Sequence, residues 1–508
     1  TPDEPTTPDE PTTPDEPTTP DEPTTPDEPT TPDEPTIPPE LIVNVPPTDF
    51  AAKFSPENEA LLETILASPI KEVSSVENIL PSLTVNPSKK YESGEGGYTY
   101  IYGNVGKAIY DNTCYVLFKN GFAKYTENAI NASADDDATW KLYNYSATFI
   151  NDTAQIDIDL HTGSNRMFVN VTPRTSSVLP PREAMSYVKP QGDYPTLWVQ
   201  YGLEDIDDNE SSLGYIIRIA DGTFVIVDGG EFIDGVEVRM YEILKKLAPD
   251  PDNIVISAWI ITHTHGDHVG GFLKFAVKYI NDPTIKVKQI VCNFPDDTKI
   301  PKSDDGQDSW DKIFQDHVRA YSKSLGAEFL KVHTGNVLYY ADIKINILYT
   351  QENYLDSNPD GMMKNFNGAS VVTQFVMADG SKVLVGADHP VDGTYAGAVW
   401  CQNALVRWYG TGLRSQVVST FHHGYGGGAD NYIYGVIKPQ MVLWSVDAAR
   451  ATAGSLTTVT HNKYFTTNGK ANGVTYHMAS GSSVTILQFA NGNPTLTFYS
   501  TFSKFKAS

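Results

Sequence analysis

Between Ile261 and Gly271 the chain reads Ile-Thr-His-Thr-His-Gly-Asp-His-Val-Gly-Gly, and few folds can use such a stretch. The apolar run Ile254 to Ile261 precedes it, and Phe272 to Tyr279 follows with amphipathic spacing, which predicts a strand-to-helix turn. Side chains two apart on an extended segment point the same way, so His263 and His265 face together while Asp267 and His268 open the next element. Four potential ligands thus reach one small volume. Neutral imidazole and ionised carboxylate are the donors that borderline divalent metals prefer, zinc above all. A turn that only reversed the chain would have no use for three histidines and an aspartate in six residues.

The segment resembles the HxHxDH signature of the metallo-β-lactamase superfamily, whose members are hydrolases with an αββα sandwich and one or two metals at the sandwich edge. The resemblance implies an α/β hydrolase domain over residues 194–508 and points to other residues along the chain. Thr196 to Gly202, Gly214 to Ile219 and Thr223 to Val227 are predicted strands, the last running into Asp228-Gly229-Gly230. By resemblance, Asp228 stands behind the ligands and orients their loop through hydrogen bonds. Asn367-Gly368-Ala369-Ser370-Val371-Val372, then Val383-Leu384-Val385-Gly386-Ala387-Asp388, then Phe421-His422-His423-Gly424 follow in order. They resemble the N-x-x-S, G-D and HHG motifs of a subgroup. It includes the hydrolase domain of competence-type DNA-uptake proteins and, more loosely, the teichoic-acid phosphorylcholine esterases.

On that resemblance His263 and His265 hold one divalent ion and Asp267 and His268 another. Asp388 bridges the two and His423 completes the set. Zinc is the expected metal, with manganese or iron as substitutes. Two cations sharing a carboxylate stand roughly 3.5–4 Å apart and allow a metal-bridging hydroxide to attack in line. His422 would face substrate as a phosphate contact or general acid, and Asp267 doubles as a catalytic proton acceptor. The chain departs from the subgroup in reading Gly-Ala-Asp for Gly-Asp and ending the HHG motif with Tyr425. It also lacks, between Val287 and Tyr349, the further histidine ligand of the best-known members. Only His317 and His333 occur there; they, with His389 next to Asp388, remain candidate extra ligands.

Ahead of the hydrolase region, residues 1–36 are six identical copies of Thr-Pro-Asp-Glu-Pro-Thr. Two prolines in six residues prevent helix and sheet pairing and nothing apolar can be buried, so residues 1–40 are expected to be a disordered, extended linker. Such repeats resemble the spacers of secreted or surface-attached microbial proteins, and a chain beginning inside one is expected to continue a longer protein. The net charge is -26; the repeat carries 12 acidic residues and no base, leaving -14 on the remainder. That balance repels phosphate backbones and makes nucleic acid an unlikely partner. No apolar run reaches the roughly 20 residues of a membrane span. Cys114, Cys292 and Cys401 are too few and too scattered for a disulfide framework or a cysteine zinc site, and are expected to pack in cores.

Residues 41–190 read as a mostly β accessory domain, with a short Ser-capped helix over Ser55 to Ala67. The runs YTYIYG, NTCYVLFKNG, KLYNYSATFI, AQIDIDLHTG and NRMFVNVTP are predicted strands. Their tyrosines suit carbohydrate or cell-wall binding, though aromatic strand residues more often form core. Asn131 and Asn170 begin glycosylation sequons. The combined expectation is a secreted or surface metal-dependent hydrolase acting on phosphoesters or phosphodiesters of small or cell-envelope substrates. The alternatives are an extracellular nuclease of the DNA-uptake type and a surface binding protein with an inactive hydrolase domain.

Overall fold

The structure is a computed structural model. It describes residues 55–73, 76–81, 85–131, 143–174, 179–180, 182, 193–203, 205–206, 213–302, 306, 308–357, 361–363, 365–389, 404–425, 432–453, 456–459, 462–490 and 492–508. The Thr-Pro-Asp-Glu-Pro-Thr repeat, Cys401 and the side chain of Asn131 fall outside that set.

Apolar residues on alternate faces of two large sheets create three apolar layers, and these define the architecture. A nine-stranded sheet runs Glu328–Lys331, Gln289–Cys292, Ile254–Ile260, Phe224–Asp228, Gly214–Arg218, Leu197–Tyr201, Val484–Ala490 and Asn493–Tyr499, with Ile285–Val287 beside Ile254–Ile260. A seven-stranded sheet runs Val337–Tyr340, Ile343–Tyr349, Val372–Val376, Lys382–Val385, Val417–Ser419, Met441–Trp444 and Thr475–Met478. Between them Trp198, Tyr215, Val225, Ile260, Ile345, Phe375, Val385 and Leu443 form the central layer. Outside the first sheet, Met240, Ile243, Phe272, Phe275 and Val318 of three helices pack on Ile226, Ile256 and Ile290. Outside the second, Leu405, Trp408, Ile433 and Tyr434 pack on Leu384, Val418 and Val442. Helices, sheet, sheet and helices make the αββα sandwich.

The strands nearest the ligands are parallel within each sheet: Phe224–Asp228, Ile254–Ile260, Gln289–Cys292 and Glu328–Lys331 in the first, Lys382–Val385, Val417–Ser419, Met441–Trp444 and Thr475–Met478 in the second. Parallel strands end on one edge, where loops from distant sequence converge. Phe224–Asp228, Ile254–Ile260, Lys382–Val385 and Val417–Ser419 are nearly continuous buried runs that end in a polar residue or loop.

A six-stranded antiparallel sheet occupies residues 89–173, with spatial order Lys89–Gly94, Gly97–Gly103, Arg166–Pro173, Ala154–His161, Tyr143–Ile150 and Ala123–Asn131. The Ser55 hydroxyl accepts from Asn58 N at the start of the helix Pro56–Ala67, as its sequence predicts. NTCYVLFKNG does not form a strand. It belongs to the helix Lys107–Lys119, because Ile109, Tyr110, Cys114 and Leu117 recur at helical spacing and together meet the sheet. Tyr100 and Tyr102 are buried core, and Asn170 is buried with its amide oxygen accepting from Thr99, so neither these two tyrosines nor the Asn170 side chain faces solvent, while Tyr98 and Tyr145 are half-buried. Cys114 and Cys292 are buried free thiols.

This sheet is tied to the sandwich by polar side chains. The carboxylate of Asp356 receives both Lys89, at 2.9 Å, and Arg166, at 3.0 Å. Asn336 donates to Asp157 over 2.8 Å, and His161 stacks on Trp408 with ring centres 4.2 Å apart. No described helix is long and apolar enough to cross a membrane.

Candidate metal centre

The strand Phe224–Asp228 delivers Asp228 to the converging edge in a left-handed conformation, φ 52°. Its carboxylate accepts from Thr262 N at 2.8 Å, from Thr262 Oγ1 at 2.7 Å and from His268 Nδ1 at 2.8 Å, while its carbonyl accepts from the Trp259 indole at 2.7 Å. One buried aspartate thereby holds both the entry to the histidine loop and one of its rings. His265 stands at the N-terminal cap of the helix Gly266–Tyr279, whose first turn contributes Asp267 and His268. That helix sits so close to the preceding loop that a Cβ on Gly271 would lie 2.0 Å from Gly229 O, and one on Gly270 2.2 Å from Phe232 N.

Two donor groups result, and they share Asp388. His263, His265 and Asp388 have ligand atoms within 4.8 Å of one another, as do Asp267, His268, Asp388 and His423. Asp388 Oδ1 is 3.0 Å from His268 Nε2 and 3.4 Å from His423 Nε2, and its Oδ2 is 3.8 Å from His263 Nε2. Asp267 Oδ2 is 3.1 Å from His423 Nε2. His422 lies beside the pair with Nε2 3.8 Å from Asp388 Oδ2 and 3.2 Å from the Asn367 amide nitrogen. Ala387, His422 and His423 adopt positive φ, as Asp228 does, so backbone strain gathers at this edge.

The hydrogen bonds behind the rings fix what the rings offer. His423 Nδ1 is 3.0 Å from the Ser445 carbonyl, which can only accept, and His268 Nδ1 faces a carboxylate. Both rings therefore carry a proton on Nδ1, and in the neutral form both Nε2 lone pairs point inward, 3.0 Å apart. His263 Nε2 is buried with no hydrogen-bond partner. Lone pairs and carboxylate oxygens that face one another in a dry pocket repel unless a cation lies between them, so this donor set fits divalent metal.

The titration behaviour reports the same field. Burial opposes an imidazolium at His268, yet Asp388, Asp267 and Asp228 raise its pKa well above the usual range. Burial likewise opposes ionisation of Asp388, but His268 and His423 hold its carboxyl well below the usual range. At His263 burial dominates, aided by His268 and His265, and keeps the ring neutral, as a metal ligand must be.

The other histidines stand apart from both groups. His333 pairs with Glu352 at 3.0 Å and meets Thr172 at 3.2 Å. His317 is exposed on the helix Trp310–Ser324, against Tyr321. His389 is buried against Tyr349, and burial pushes its pKa down to about 3. Three neighbours had no assigned role from sequence. Ser370 Oγ accepts from Asp388 N at 3.2 Å, the Ser445 carbonyl holds His423, and Asp311 stands 3.8 Å from His265 Nε2. Ser370 and Asn367 lay in a motif that marked them; Asp311 and Ser445 come from distant sequence with no local signal.

Residues 208–349 match the profile of the metallo-beta-lactamase superfamily. The likeness covers that segment of the 508-residue chain. The matched span holds Asp228 and the loop His263–His268, while Asp388 and His423, which the fold brings to the same edge, lie beyond it. No curated protein matches the chain. Among solved structures it is similar to the metallo-beta-lactamase fold protein YhfI from Bacillus subtilis, with 11% identity, 57% of this chain and 99% of that one covered, and a TM-score of 0.32. It is also similar to a Cronobacter sakazakii metallo-beta-lactamase with a HARLDQ motif, with 9% identity, 41% and 74% covered, and a TM-score of 0.24. The matched segment and the two donor groups together make this edge a candidate divalent-metal site.

Proposed function

We propose that this chain is a two-cation phosphodiesterase of the metallo-beta-lactamase superfamily, and the observation that carries the reading is Asp388, whose carboxylate is common to both donor groups. His263 and His265 would hold one ion, Asp267, His268 and His423 the other, and Asp388 both. When bound, two such ions supply Lewis acidity, an activated water and neutralisation of charge on a phosphoryl group. The protein's own residues provide the rest. Asp228 and the Ser445 carbonyl keep His268 and His423 in the tautomer that presents Nε2.

His422 is the candidate substrate contact. Asn367 donates toward its Nε2, which leaves the proton on Nδ1 free to be donated, and burial lowers its pKa so that the resting ring is neutral. A neutral ring with a free N–H favours a phosphate contact over a standing general acid. Three donors at the first group against four at the second leave room for a substrate oxygen, which supports a phosphodiester over an amide. The repeat of residues 1–36 supports placing the activity at a surface or outside the cell, on an envelope polymer or small diester.

The test is hydrolysis of bis(p-nitrophenyl) phosphate, p-nitrophenyl phosphorylcholine and single-stranded DNA by metal-loaded protein beside His265→Ala. Diester cleavage that His265→Ala abolishes supports the proposal. Cleavage of DNA in preference to the small esters favours a nuclease, against which the net charge of the chain weighs. Metal-loaded protein that leaves every phosphoester intact rejects the phosphodiesterase reading.

A further inference from the structure

A second cavity lies away from the metal centre, between the six-stranded sheet and the sandwich, with a volume of about 480 Å³. One wall comes from the strand end Thr172–Pro173 with Arg174, the other from the helix Trp310–Ser324 and the strand Glu328–Lys331. Four cations line it, Arg174, Arg319, Lys323 and Lys331, against one carboxylate, Glu95. In a chain with a net charge of -26 this is an unusual concentration of positive charge.

The cations differ in how they are satisfied. Arg319 is neutralised: its Nε and Nη2 donate to Glu95 at 3.0 and 2.8 Å. The other three have no carboxylate partner within ion-pair distance among the described residues. Arg174 is 7% exposed; it donates from Nη1 to the Asn151 carbonyl, and its buried Nε has no hydrogen-bond partner. Lys331 is 6% exposed and donates to two carbonyls, those of Ser93 and Phe294. Lys323 is exposed at the rim. Burial draws the pKa of both Arg174 and Lys331 down, against the opposing pull of Asp152 on the first and of Glu352 and Glu95 on the second. A buried guanidinium with an idle N–H is costly to maintain unless an anion completes it. The remaining lining is mixed, with Gln155, Thr172 and Ser322 beside an apolar part that includes Leu179 and Phe329. The volume falls within the roughly 300–1,000 Å³ of small-molecule sites.

We propose that this cavity binds a small organic anion, with a phosphate-like head on Arg174, Lys323 and Lys331 and an apolar body against Leu179 and Phe329. Such a ligand joins the six-stranded sheet to the sandwich, since its head and body touch both. The site is independent of the metal centre and of the reaction assigned to it.

Calorimetric titration of the metal-loaded full chain with phenylphosphonate, which cannot be hydrolysed, tests the proposal, with phenol as the uncharged control. Saturable binding of phenylphosphonate and none of phenol is expected. Arg174→Gln should weaken it by about tenfold or more, the loss of a charged hydrogen bond. Lys323→Gln, at an exposed position that does not threaten folding, should weaken it several-fold, and His265→Ala should leave it unchanged. Absence of saturable binding overturns the proposal, as does equal binding of phenol. Binding that falls in His265→Ala but survives Lys323→Gln and Arg174→Gln would put the anion in the metal centre and also overturn it.

Discussion

Asp228 touches no proposed metal position, yet it fixes two things the ligands need: the start of the histidine loop through Thr262 and the ring of His268 through Nδ1. Asp228→Asn keeps the volume but loses an acceptor for one of those donors, so metal affinity should fall about 10- to 100-fold, as for other outer-shell partners. Competition with a chelator of known affinity measures this, and an unchanged affinity would deny Asp228 its orienting role. His263, His265, Asp267 and His268 were legible in the sequence because one six-residue loop holds them. Asp388 and His423 were legible only through motifs at the ends of apolar strands. Asp311 and the Ser445 carbonyl were not, since backbone carbonyls and non-local carboxylates leave no pattern in the chain. His333 shows the converse: its partner, Glu352, lies 19 residues on and holds a candidate ligand in a structural contact at 3.0 Å instead.

At the scale of elements, the metal loop depends on how tightly the helix Gly266–Tyr279 is seated. Gly271 packs on the backbone of Gly229, next to Asp228, with no space for a methyl group. Gly271→Ala should push the helix off the loop and cost about 1–3 kcal/mol or more, because backbone cannot rotate away as a side chain can. Thermal unfolding would show the loss, and metal affinity should fall with it; a variant with wild-type stability and affinity would mean that the seating is loose. The strand-to-helix turn itself was legible, since a buried run of β-branched residues leads into amphipathic spacing. The helix Lys107–Lys119 was not, because Tyr-Val-Leu-Phe favours a strand locally and the helical pattern emerges only with Ile109 and Tyr110 included. The strand Asn493–Tyr499 was missed too; it is mostly exposed, opens with Asn-Pro, and is held by pairing with Val484–Ala490.

Across the whole molecule, the αββα layering followed from the resemblance and from apolar strand runs, whereas the docking of the six-stranded sheet onto the sandwich came from scattered polar residues that no sequence pattern links. Glu352 lies in that polar zone, accepting from Asn293 and paired with His333. Burial would raise its pKa, but His333 and Lys331 prevail and push it down to about 2 from 4.5. A depressed carboxyl stabilises the fold above the unfolded value and loses that contribution as pH falls toward the folded one. Stability should therefore hold down to about pH 5 and decline between 4.5 and 2, with a flatter acid limb in Glu352→Gln; identical acid limbs would remove Glu352 from the account. The central claim is likewise a property of the whole molecule, because strand ends of both sheets must meet for one carboxylate to serve two donor groups. The direct measurement is the number of divalent ions retained per chain after metal loading and desalting, in the wild type and in Asp388→Asn. The account predicts about two in the wild type, as in two-metal sites that share a carboxylate, and loss of at least one in the variant. One ion or none in the wild type, or two in both proteins, would contradict it.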